Sequence, residues 1–348
     1  WQATGDRSNG ARSRQYVRTT PPTTRRDPGG LEVKAVVTGA AGFIGSNLTT
    51  RLLDTGACVT GVDCFTDYYA RALKEKNIKR FRDHPRCRFV ETEIATANWT
   101  ELLTDVTHVF HLAAQAGVRQ SWGADFAIYT TCNVDATQIL LEACVGRSLE
   151  RFVYASSSSV YGDGAVIPMR EDARPQPVSP YGVTKLAAEH LCQLYFVNHE
   201  VPTVSLRYFT VYGPCQRPDM AFNRFLRSIQ NGQPITLYGD GEQTRDFTFI
   251  DDAVSATIAA GNRGGSGRVY NIGGGARVSM NQVLDVMATV TGQVPTIARQ
   301  PVQKGDMRDT YADATLAKQD LGFTPAVELE DGIRSEHEWI ATIAVPLK

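Results

Sequence analysis

Up to about residue 208, the apolar positions of the chain form short β-branched runs separated by longer stretches with helical spacing. The run at 107–114 is almost continuously apolar, which is typical of a parallel strand covered on both faces. This alternation predicts an α/β fold, a Rossmann-type doubly wound parallel sheet. The predicted strands lie at Val36–Val37, 58–63, 88–92, 107–114, 151–155 and 203–208, and the predicted helices at 46–55, 71–82, 125–144 and about 179–199.

Beyond residue 208, glycine, proline and polar turns separate short elements. A helix at 221–230 and a strand at 235–237 are predicted, with a later helix capped by Ser279 and another after Asp313. We therefore expect two domains. The Rossmann domain would comprise 31–207 plus about 246–272, and a smaller C-terminal α/β domain would comprise about 208–245 plus 273–340.

The first 30 residues differ from the rest, because they combine six arginines and three prolines with almost no aliphatic side chains. Such a segment cannot bury enough apolar surface to fold alone, so residues 1–30 are predicted to be a flexible extension. It lacks the apolar centre of a signal peptide.

The composition is that of an ordinary globular protein, with 348 residues, 42% apolar residues and a formal net charge of −1. There is no global basic excess, so nucleic-acid binding is not expected. No apolar run is long enough for a membrane span, and the sequence predicts no metal site. The seven cysteines are scattered without C-x-x-C spacing, which predicts reduced thiols and a cytoplasmic protein.

A glycine-rich turn, GAAGFIG at 39–45, joins the first predicted strand to the first predicted helix. Gly39 permits the sharp reversal, Gly42 lacks the Cβ that would block a pyrophosphate, and Gly45 lets the helix pack closely on the strand. The helix N-terminus then offers free N–H groups and a positive dipole to phosphates. The turn predicts dinucleotide binding.

The second predicted strand ends on Asp63, at the offset expected for a residue that binds the adenosine ribose. A carboxylate there accepts hydrogen bonds from a ribose 2′-hydroxyl and repels a 2′-phosphate. The predicted cofactor is therefore NAD rather than NADP.

Tyr181 and Lys185 are four residues apart on a predicted helix, and four consecutive serines, 156 to 159, end the preceding strand. The spacing places both side chains on one helix face. A nearby ammonium, together with the positive nicotinamide of bound NAD⁺, favours a phenolate, so Tyr181 is expected to have a lowered pKa and to accept a proton from a substrate hydroxyl. Because parallel strands end at one sheet edge, the glycine turn and the serines should face the same crevice.

These motifs together resemble those of the extended short-chain dehydrogenase/reductase family, and within it the nucleotide-sugar epimerases. The resemblance covers about residues 31–329 and is closest to enzymes that epimerise UDP-glucuronate at C4. It rests on Asp63, GAAGFIG at 39–45, LAAQAGV at 112–118, SSSSVYG at 156–162, YGVTK at 181–185, RYFTVYGP at 207–214, RPDMA at 217–221 and GDGEQTRDFTFIDD at 239–252.

The resemblance implies NAD as cofactor, a UDP-sugar as substrate, a UDP-sugar-binding role for the smaller domain, and a homodimer. Catalysis would fall to Tyr181, Lys185 and Ser157. The implied cofactor-binding residues are Gly39, Gly42, Phe43, Ile44, Gly45, Asp63, Glu93, Ile94, Leu112, Ala113, Ala114, Gln115 and Lys185. The implied substrate-binding residues are Ser157, Ser158, Tyr181, Thr210, Arg217, Arg245 and Arg308, of which Arg245 and Arg308 would bind the diphosphate.

The implied reaction is redox-neutral: hydride leaves C4 for NAD⁺, the 4-keto sugar turns over, and hydride returns to its other face. Two positions depart from the family pattern. Cys64 stands where asparagine usually follows the ribose-binding aspartate, and Glu93 stands in place of the aspartate of an Asp-Ile pair that contacts adenine. Both concern the affinity for NAD.

Three other functions are compatible with the same fold. UDP-glucose is the alternative epimerase substrate, and Thr310, a small residue, would admit bulkier sugars. Related dehydratases and decarboxylases carry a carboxyl group where this chain has Ser158 or Ser159, so they are disfavoured. A non-enzymatic NAD-binding regulator would be expected to have lost Tyr181 or Lys185, and both are present.

Overall fold

The computed structural model describes residues 33–343. In chain order, the strands are β1 Lys34–Thr38, β2 Cys58–Asp63, β3 Cys87–Glu91, β4 His108–His111, β5 Arg151–Ser157, β6 Thr203–Tyr208, β7 Val211–Tyr212, β8 Ile235–Tyr238, β9 Thr244–Asp246, β10 Thr248–Phe249, β11 Arg268–Ile272, β12 Arg277–Ser279 and β13 Ile297–Gln300. Seven of them form the central sheet, in the order β11-β6-β5-β4-β1-β2-β3, and every neighbouring pair is parallel. The predicted Rossmann-type sheet is confirmed.

Helices cover both faces of this sheet, because successive side chains of a strand point to opposite sides. Val37 of β1 is buried in one apolar cluster, and Val36 beside it is buried in another. The α-helices are α1 Phe43–Asp54, α2 Arg71–Ile78, α3 Trp99–Leu102, α4 Phe126–Tyr129, α5 Ala136–Cys144, α6 Pro180–His199, α7 Ala221–Gln230, α8 Ile250–Arg263, α9 Met280–Thr291 and α10 Leu329–Ala341. The Val37 cluster includes side chains of α1 and α8, and the Val36 cluster includes side chains of α5 and α6.

Strands β2 and β6 and helix α7 have the predicted bounds. Helix α1 begins at Phe43, three residues earlier than predicted, because Gly42 is extended and its carbonyl already accepts the Ser46 N–H at 3.0 Å. Helix α2 ends at Ile78, earlier than predicted, and β4 ends at His111. The chain after His111 leaves the sheet and follows its edge.

The helix predicted at 125–144 contains a π-helical segment, Thr130–Asp135, between α4 and α5. No local pattern marks such a wide turn, which is frequent at functional sites. Helices α8 and α10 and strand β11 were not predicted as elements.

After β6 the chain forms three two-stranded sheets, β7 with β10, β8 with β13, and β9 with β12. Ser279 caps α9 as predicted, with its hydroxyl accepting the Gln282 N–H at 3.2 Å. The helix expected after Asp313 contains a π-helical turn, Ala317–Leu321.

The described residues, 33–343, fall within one compact unit, so the division into two domains stays a prediction. The extension predicted at 1–30 lies outside the described residues. Within 33–343, no helix is both long and apolar enough to cross a membrane.

Candidate active site

A cleft of about 2170 Å³ lies at the carboxyl ends of the central strands. Its wall also includes residues of α7, β8 and the segment between β13 and α10. Every residue that the sequence predicted for the cofactor, the substrate or catalysis lines this cleft. The glycine turn and the serines therefore face the same crevice, as expected from the parallel topology.

The glycine turn is packed so tightly that side chains are excluded. A Cβ on Gly45 would lie 2.1 Å from the Gly39 carbonyl oxygen, and one on Gly39 would lie 2.8 Å from the Ala113 nitrogen. Gly39 also has a φ of +72°, which side chains rarely adopt. Because α1 begins at Phe43, directly on the cleft, its free N–H groups face the space that a pyrophosphate would occupy.

Backbone N–H groups on both sides hold the Asp63 carboxylate. Its Oδ2 accepts the Ala41 N–H at 3.0 Å, and its Oδ1 accepts the Phe65 N–H at 2.8 Å. Each oxygen keeps a lone pair for a ribose hydroxyl. Cys64 and Glu93 also line the cleft, and burial raises the pKa of the Cys64 thiol, which keeps it uncharged.

The segment Leu112–Gln115 forms another wall of the cleft and is held from beneath. Asn133, in the π-helical turn, accepts the Gln115 N–H at 2.7 Å and donates to the Gln115 carbonyl at 3.1 Å. Its amide also donates to the Thr184 hydroxyl at 3.0 Å. Sequence reasoning missed Asn133, because its role depends on the irregular turn that carries it.

A buried histidine ties the same wall to the sheet. Thr38 Oγ1 accepts the Ala113 N–H at 3.2 Å and lies 2.8 Å from His111 Nδ1, while His111 Nε2 lies 3.0 Å from Thr137 Oγ1. Since the Thr137 hydroxyl donates to the Asn133 carbonyl, we assign the ring proton to Nε2. Burial lowers the pKa of His111 to about 3, so the ring is neutral.

Tyr181 lies at the start of α6, whose N-terminus is capped by Ser179, with its hydroxyl accepting the Gly182 N–H at 3.1 Å. In the cofactor-free protein, burial raises the pKa of Tyr181, while the Ser157 side chain and the charge of Arg217 act in the opposite direction. The predicted lowering of this pKa concerns the NAD⁺-bound protein and stays a prediction. Ser157 and Tyr181 both line the cleft, and the raised pKa reflects loss of water around the phenol.

Lys185 is buried one turn further along α6, with its Nζ 4.6 Å from the centre of the Tyr154 ring. Burial lowers its pKa to about 7, against the opposing influence of Cys192 and Glu189. The ammonium is thus partly deprotonated near neutral pH in the cofactor-free protein, which limits its ability to lower the Tyr181 pKa.

A buried ion pair joins α6 to the neighbouring strands behind these groups. Glu189 binds Arg207 of β6 at 2.6 and 3.1 Å, and the Ser156 hydroxyl donates to Glu189 Oε2 at 2.6 Å. Only 4% of the Arg207 side chain and 6% of the Glu189 side chain are exposed. Glu189 continues the i, i+4 series of Tyr181 and Lys185, which is the signal that could have revealed it.

On the substrate side of the cleft, Ser158 is buried, Thr210 is partly buried and Arg217 is one-fifth exposed. The Arg217 guanidinium is already paired, because its Nε and Nη2 each lie 3.0 Å from a carboxylate oxygen of Asp219. Tyr68 donates to Asp219 Oδ2 at 3.2 Å. Neither Asp219 nor Tyr68 was predicted for the site. Tyr68 joins it through a contact with a residue distant in sequence, and Asp219 joins it through a contact within its own loop.

The two predicted diphosphate ligands lie together near the cleft rim. Arg245 Nη1 donates to the carbonyl oxygens of Thr244 and Arg308 at 2.8 and 2.9 Å. Burial lowers the pKa of Arg245, and the charges of Asp306, Asp309 and Asp163 oppose this shift. The Arg308 guanidinium is more exposed, 3.6 Å from Asp240. A second cavity of about 170 Å³ adjoins Ser158 and is lined by Thr310, whose buried hydroxyl has no hydrogen-bond partner among residues 33–343.

Comparison with known proteins places this geometry in context. A sequence model described as "Epimerase: NAD dependent epimerase/dehydratase family" matches residues 35–273. The "Uncharacterized UDP-glucose epimerase YtcB" of Bacillus subtilis (strain 168) is 43% identical over 315 residues, 89% of this chain and 99% of its own. A UDP-glucuronate 4-epimerase of Thermodesulfobacterium geofontis (strain OPF15) is 36% identical over 311 residues, 87% of this chain and 95% of its own. Among solved structures, UDP-glucuronic acid 4-epimerase from Bacillus cereus in complex with UDP-glucuronic acid and NAD has a TM-score of 0.86 and 44% identity, covering 89% of this chain and 99% of its own.

Proposed function

The chain belongs to the NAD dependent epimerase/dehydratase family, and from this premise we propose that it interconverts UDP-glucuronate and UDP-galacturonate by NAD-dependent epimerisation at C4. The observation that carries the proposal is that Ser157 and Tyr181 line one cleft together with a cofactor turn and Arg217, an arginine that already pairs with a carboxylate. Such a site has the groups needed to move the O4 proton and to bind a uronate.

NAD fits the residues at the sheet edge. The space beside Gly39 and Gly45 excludes side chains, the N-terminus of α1 faces the cleft, and Asp63 presents two oxygens for a ribose. When bound, NAD accepts the C4 hydride and returns it. The Leu112–Gln115 wall, held by Asn133, completes the predicted binding surface.

The proton steps fall to α6 and the serine loop. Tyr181 accepts the O4 proton as the sugar is oxidised and gives it back as the sugar is reduced, and Ser157, which lines the same cleft, shares that proton. Lys185 binds the nicotinamide ribose, and its charge together with that of the oxidised cofactor favours the phenolate. Ser157 and Tyr181 therefore act at the same oxygen atom.

The uronate substrate places a special demand on the site. A 4-keto uronate is a β-keto acid, which loses CO₂ readily once its carboxylate rotates out of the carbonyl plane. Holding that carboxylate still requires donors from more than one side. Arg217 supplies a charged fork, and Ser158 and Thr210 supply hydroxyls along the same wall.

UDP-glucose is the second candidate substrate, and it is favoured by the Bacillus subtilis relative, which is named as a UDP-glucose epimerase. The cavity beside the unpartnered Thr310 hydroxyl also leaves room for other sugars. Dehydration and decarboxylation are disfavoured because Ser158 and Ser159 provide no carboxyl group. Asp163 lines the cleft, but its Oδ1 accepts the Arg308 N–H at 2.6 Å.

The test is NMR of the products formed from UDP-glucuronate, UDP-glucose and other UDP-sugars, with Tyr181→Phe as the inactive control. The proposal predicts UDP-galacturonate from UDP-glucuronate without loss of CO₂. A decarboxylated or 6-deoxy-4-keto product, or turnover of UDP-glucose alone, would assign a different activity.

The substrate is tested further by Arg217→Ala. This change should raise KM for UDP-glucuronate roughly ten- to a hundred-fold more than KM for UDP-glucose, the effect of one lost charge-assisted contact. An equal rise in KM for both sugars would show that Arg217 does not recognise the carboxylate.

We also infer a homodimer, formed through the α4 to α6 region. Ile128 is 50% exposed, and Leu194 and Val197 of α6 are 52% and 65% exposed, so apolar side chains face outward on both helical segments. A four-helix interface between two copies would cover them. Light scattering that showed a monomer at micromolar concentration would contradict this.

Two further proposals concern organisation and location. Residues 31–207 plus about 246–272, which contain the central sheet, form the NAD-binding domain, and about 208–245 plus 273–340 form the UDP-sugar-binding domain, as predicted from the sequence. The seven cysteines are scattered along the chain without C-x-x-C spacing, which supports a reducing, cytoplasmic compartment.

A further inference from the structure

The arginine that would read the substrate carboxylate already holds a carboxylate. Arg217 and Asp219 form two near-parallel hydrogen bonds of 3.0 Å, Nε to Oδ1 and Nη2 to Oδ2. This is the two-pronged geometry that arginine forms with any carboxylate, whether it belongs to a side chain or to a sugar. The pair leaves 20% of the Arg217 side chain and 31% of the Asp219 side chain exposed, and both residues line the cleft.

The pair is held from the opposite side of the cleft by Tyr68, in the segment that follows β2 and Asp63. Tyr68 donates to Asp219 Oδ2 at 3.2 Å, and the Arg217 guanidinium lies 5.7 Å from the centre of its ring. The hydroxyl also fits closely over Gly117, where an added Cβ would lie only 2.4 Å from it. Tyr68 therefore links the cofactor half of the cleft to the loop that carries Arg217.

We propose that Asp219 is an internal substitute for the substrate carboxylate. It occupies Arg217 in the free enzyme, and an incoming uronate displaces it. This inference rests on the proposed function. It makes Asp219 and Tyr68 specificity-determining residues. A sugar that carries a carboxylate can accept both hydrogen bonds of the Arg217 guanidinium, whereas a sugar with a neutral C6 group leaves the Arg217–Asp219 pair intact.

The exchange has a consequence for affinity. An arginine that passes from one carboxylate to another gains less than a free arginine would, because one charge-assisted pair is lost for each one formed. Removing the Asp219 charge should therefore strengthen binding of the uronate selectively.

The experiment measures KM for UDP-glucuronate and UDP-glucose in the NAD-loaded enzyme and in Asp219→Asn. We expect the ratio of KM for UDP-glucuronate to KM for UDP-glucose to fall about two- to five-fold, the range of a partly exposed ion pair. Tyr68→Phe should shift the ratio in the same direction by less, because it removes only the hydrogen bond that holds Asp219. Thermal melting of each variant checks that it is folded.

The decisive control is the double variant Arg217→Ala/Asp219→Asn, compared with Arg217→Ala alone. The substitution of Asp219 should bring no selective gain once Arg217 is absent. A gain that persists there, an unchanged ratio in Asp219→Asn, or a ratio that rises would overturn the inference. If Arg217→Ala alone leaves the ratio unchanged, the proposed uronate specificity fails as well, so the two failures are distinguishable.

Discussion

The buried pair of Arg207 and Glu189 offers a sharp test of how the active-site helix is held in place. Replacing Arg207 by methionine keeps most of the side-chain volume but removes three contacts of the guanidinium: two hydrogen bonds to Glu189 and one, at 3.2 Å, to the Glu171 carbonyl. The carboxylate of Glu189 would then be buried with only the Ser156 hydroxyl as partner. Leaving one member of a buried pair uncompensated costs about 3–5 kcal/mol.

The free energy of unfolding should be measured by urea denaturation of the cofactor-free protein. We expect Arg207→Met to lower it by about 3–5 kcal/mol, and the double variant Arg207→Met/Glu189→Leu to recover most of that loss, since neither member of the ion pair is then left buried without its partner. Arg334→Met is the matched control. It breaks an i, i+4 pair with Glu330 whose side chains are 48% and 51% exposed, and it should change stability by less than about 1 kcal/mol.

The double variant also separates stability from catalysis. It restores the fold but removes the acceptor of the Ser156 hydroxyl, next to Ser157, and the carboxylate one turn from Lys185. We expect a stable protein with reduced kcat. If Arg207→Met destabilises no more than Arg334→Met, or if the double variant is no more stable than Arg207→Met, the ion pair is not what holds α6 to the strands.

Three other changes test the cleft. Gly45→Ala should lose bound NAD and about 1–3 kcal/mol of stability, because its Cβ would lie 2.1 Å from a backbone oxygen. Gly164→Ala is the control, since its Cβ would meet no described atom within 4 Å, and its stability should change by less than about 0.5 kcal/mol. Absorbance of released cofactor measures NAD binding, and thermal melting measures stability. Tyr181→Phe should keep NAD bound yet lose at least about 10²-fold in kcat, and near-normal turnover would refute its role as base. The pKa of Lys185 is about 7 in the folded protein and 10.5 for an ordinary lysine, so between these pH values the amine is protonated in the unfolded chain and neutral in the folded protein. Stability of the cofactor-free protein relative to Lys185→Met should therefore rise with pH above 7, by up to about 1.4 kcal/mol per unit, and a flat difference in urea denaturation would contradict the burial of the amine.

Features that depend on neighbouring residues were determined by the sequence alone. The bounds of β2 and β6, the Ser279 cap and the tight glycine turn arise from periodicity, capping and steric rules that act over a few positions. The parallel sheet followed from the alternation of these elements, because such connections have a single preferred hand. That topology was enough to bring the predicted site residues to one cleft.

Other features were decided only by the tertiary structure. Asn133 became part of the site through a π-helical turn that no local pattern marks, and the Tyr181 pKa rose because of burial that its helix spacing did not reveal. The Tyr68–Asp219 contact joins residues 151 positions apart. Short-range propensities carry no information about which distant side chains meet or how much water remains between them. Partner choice and desolvation are therefore properties of the packed protein, and they determine which charges in this cleft are free to act on a substrate.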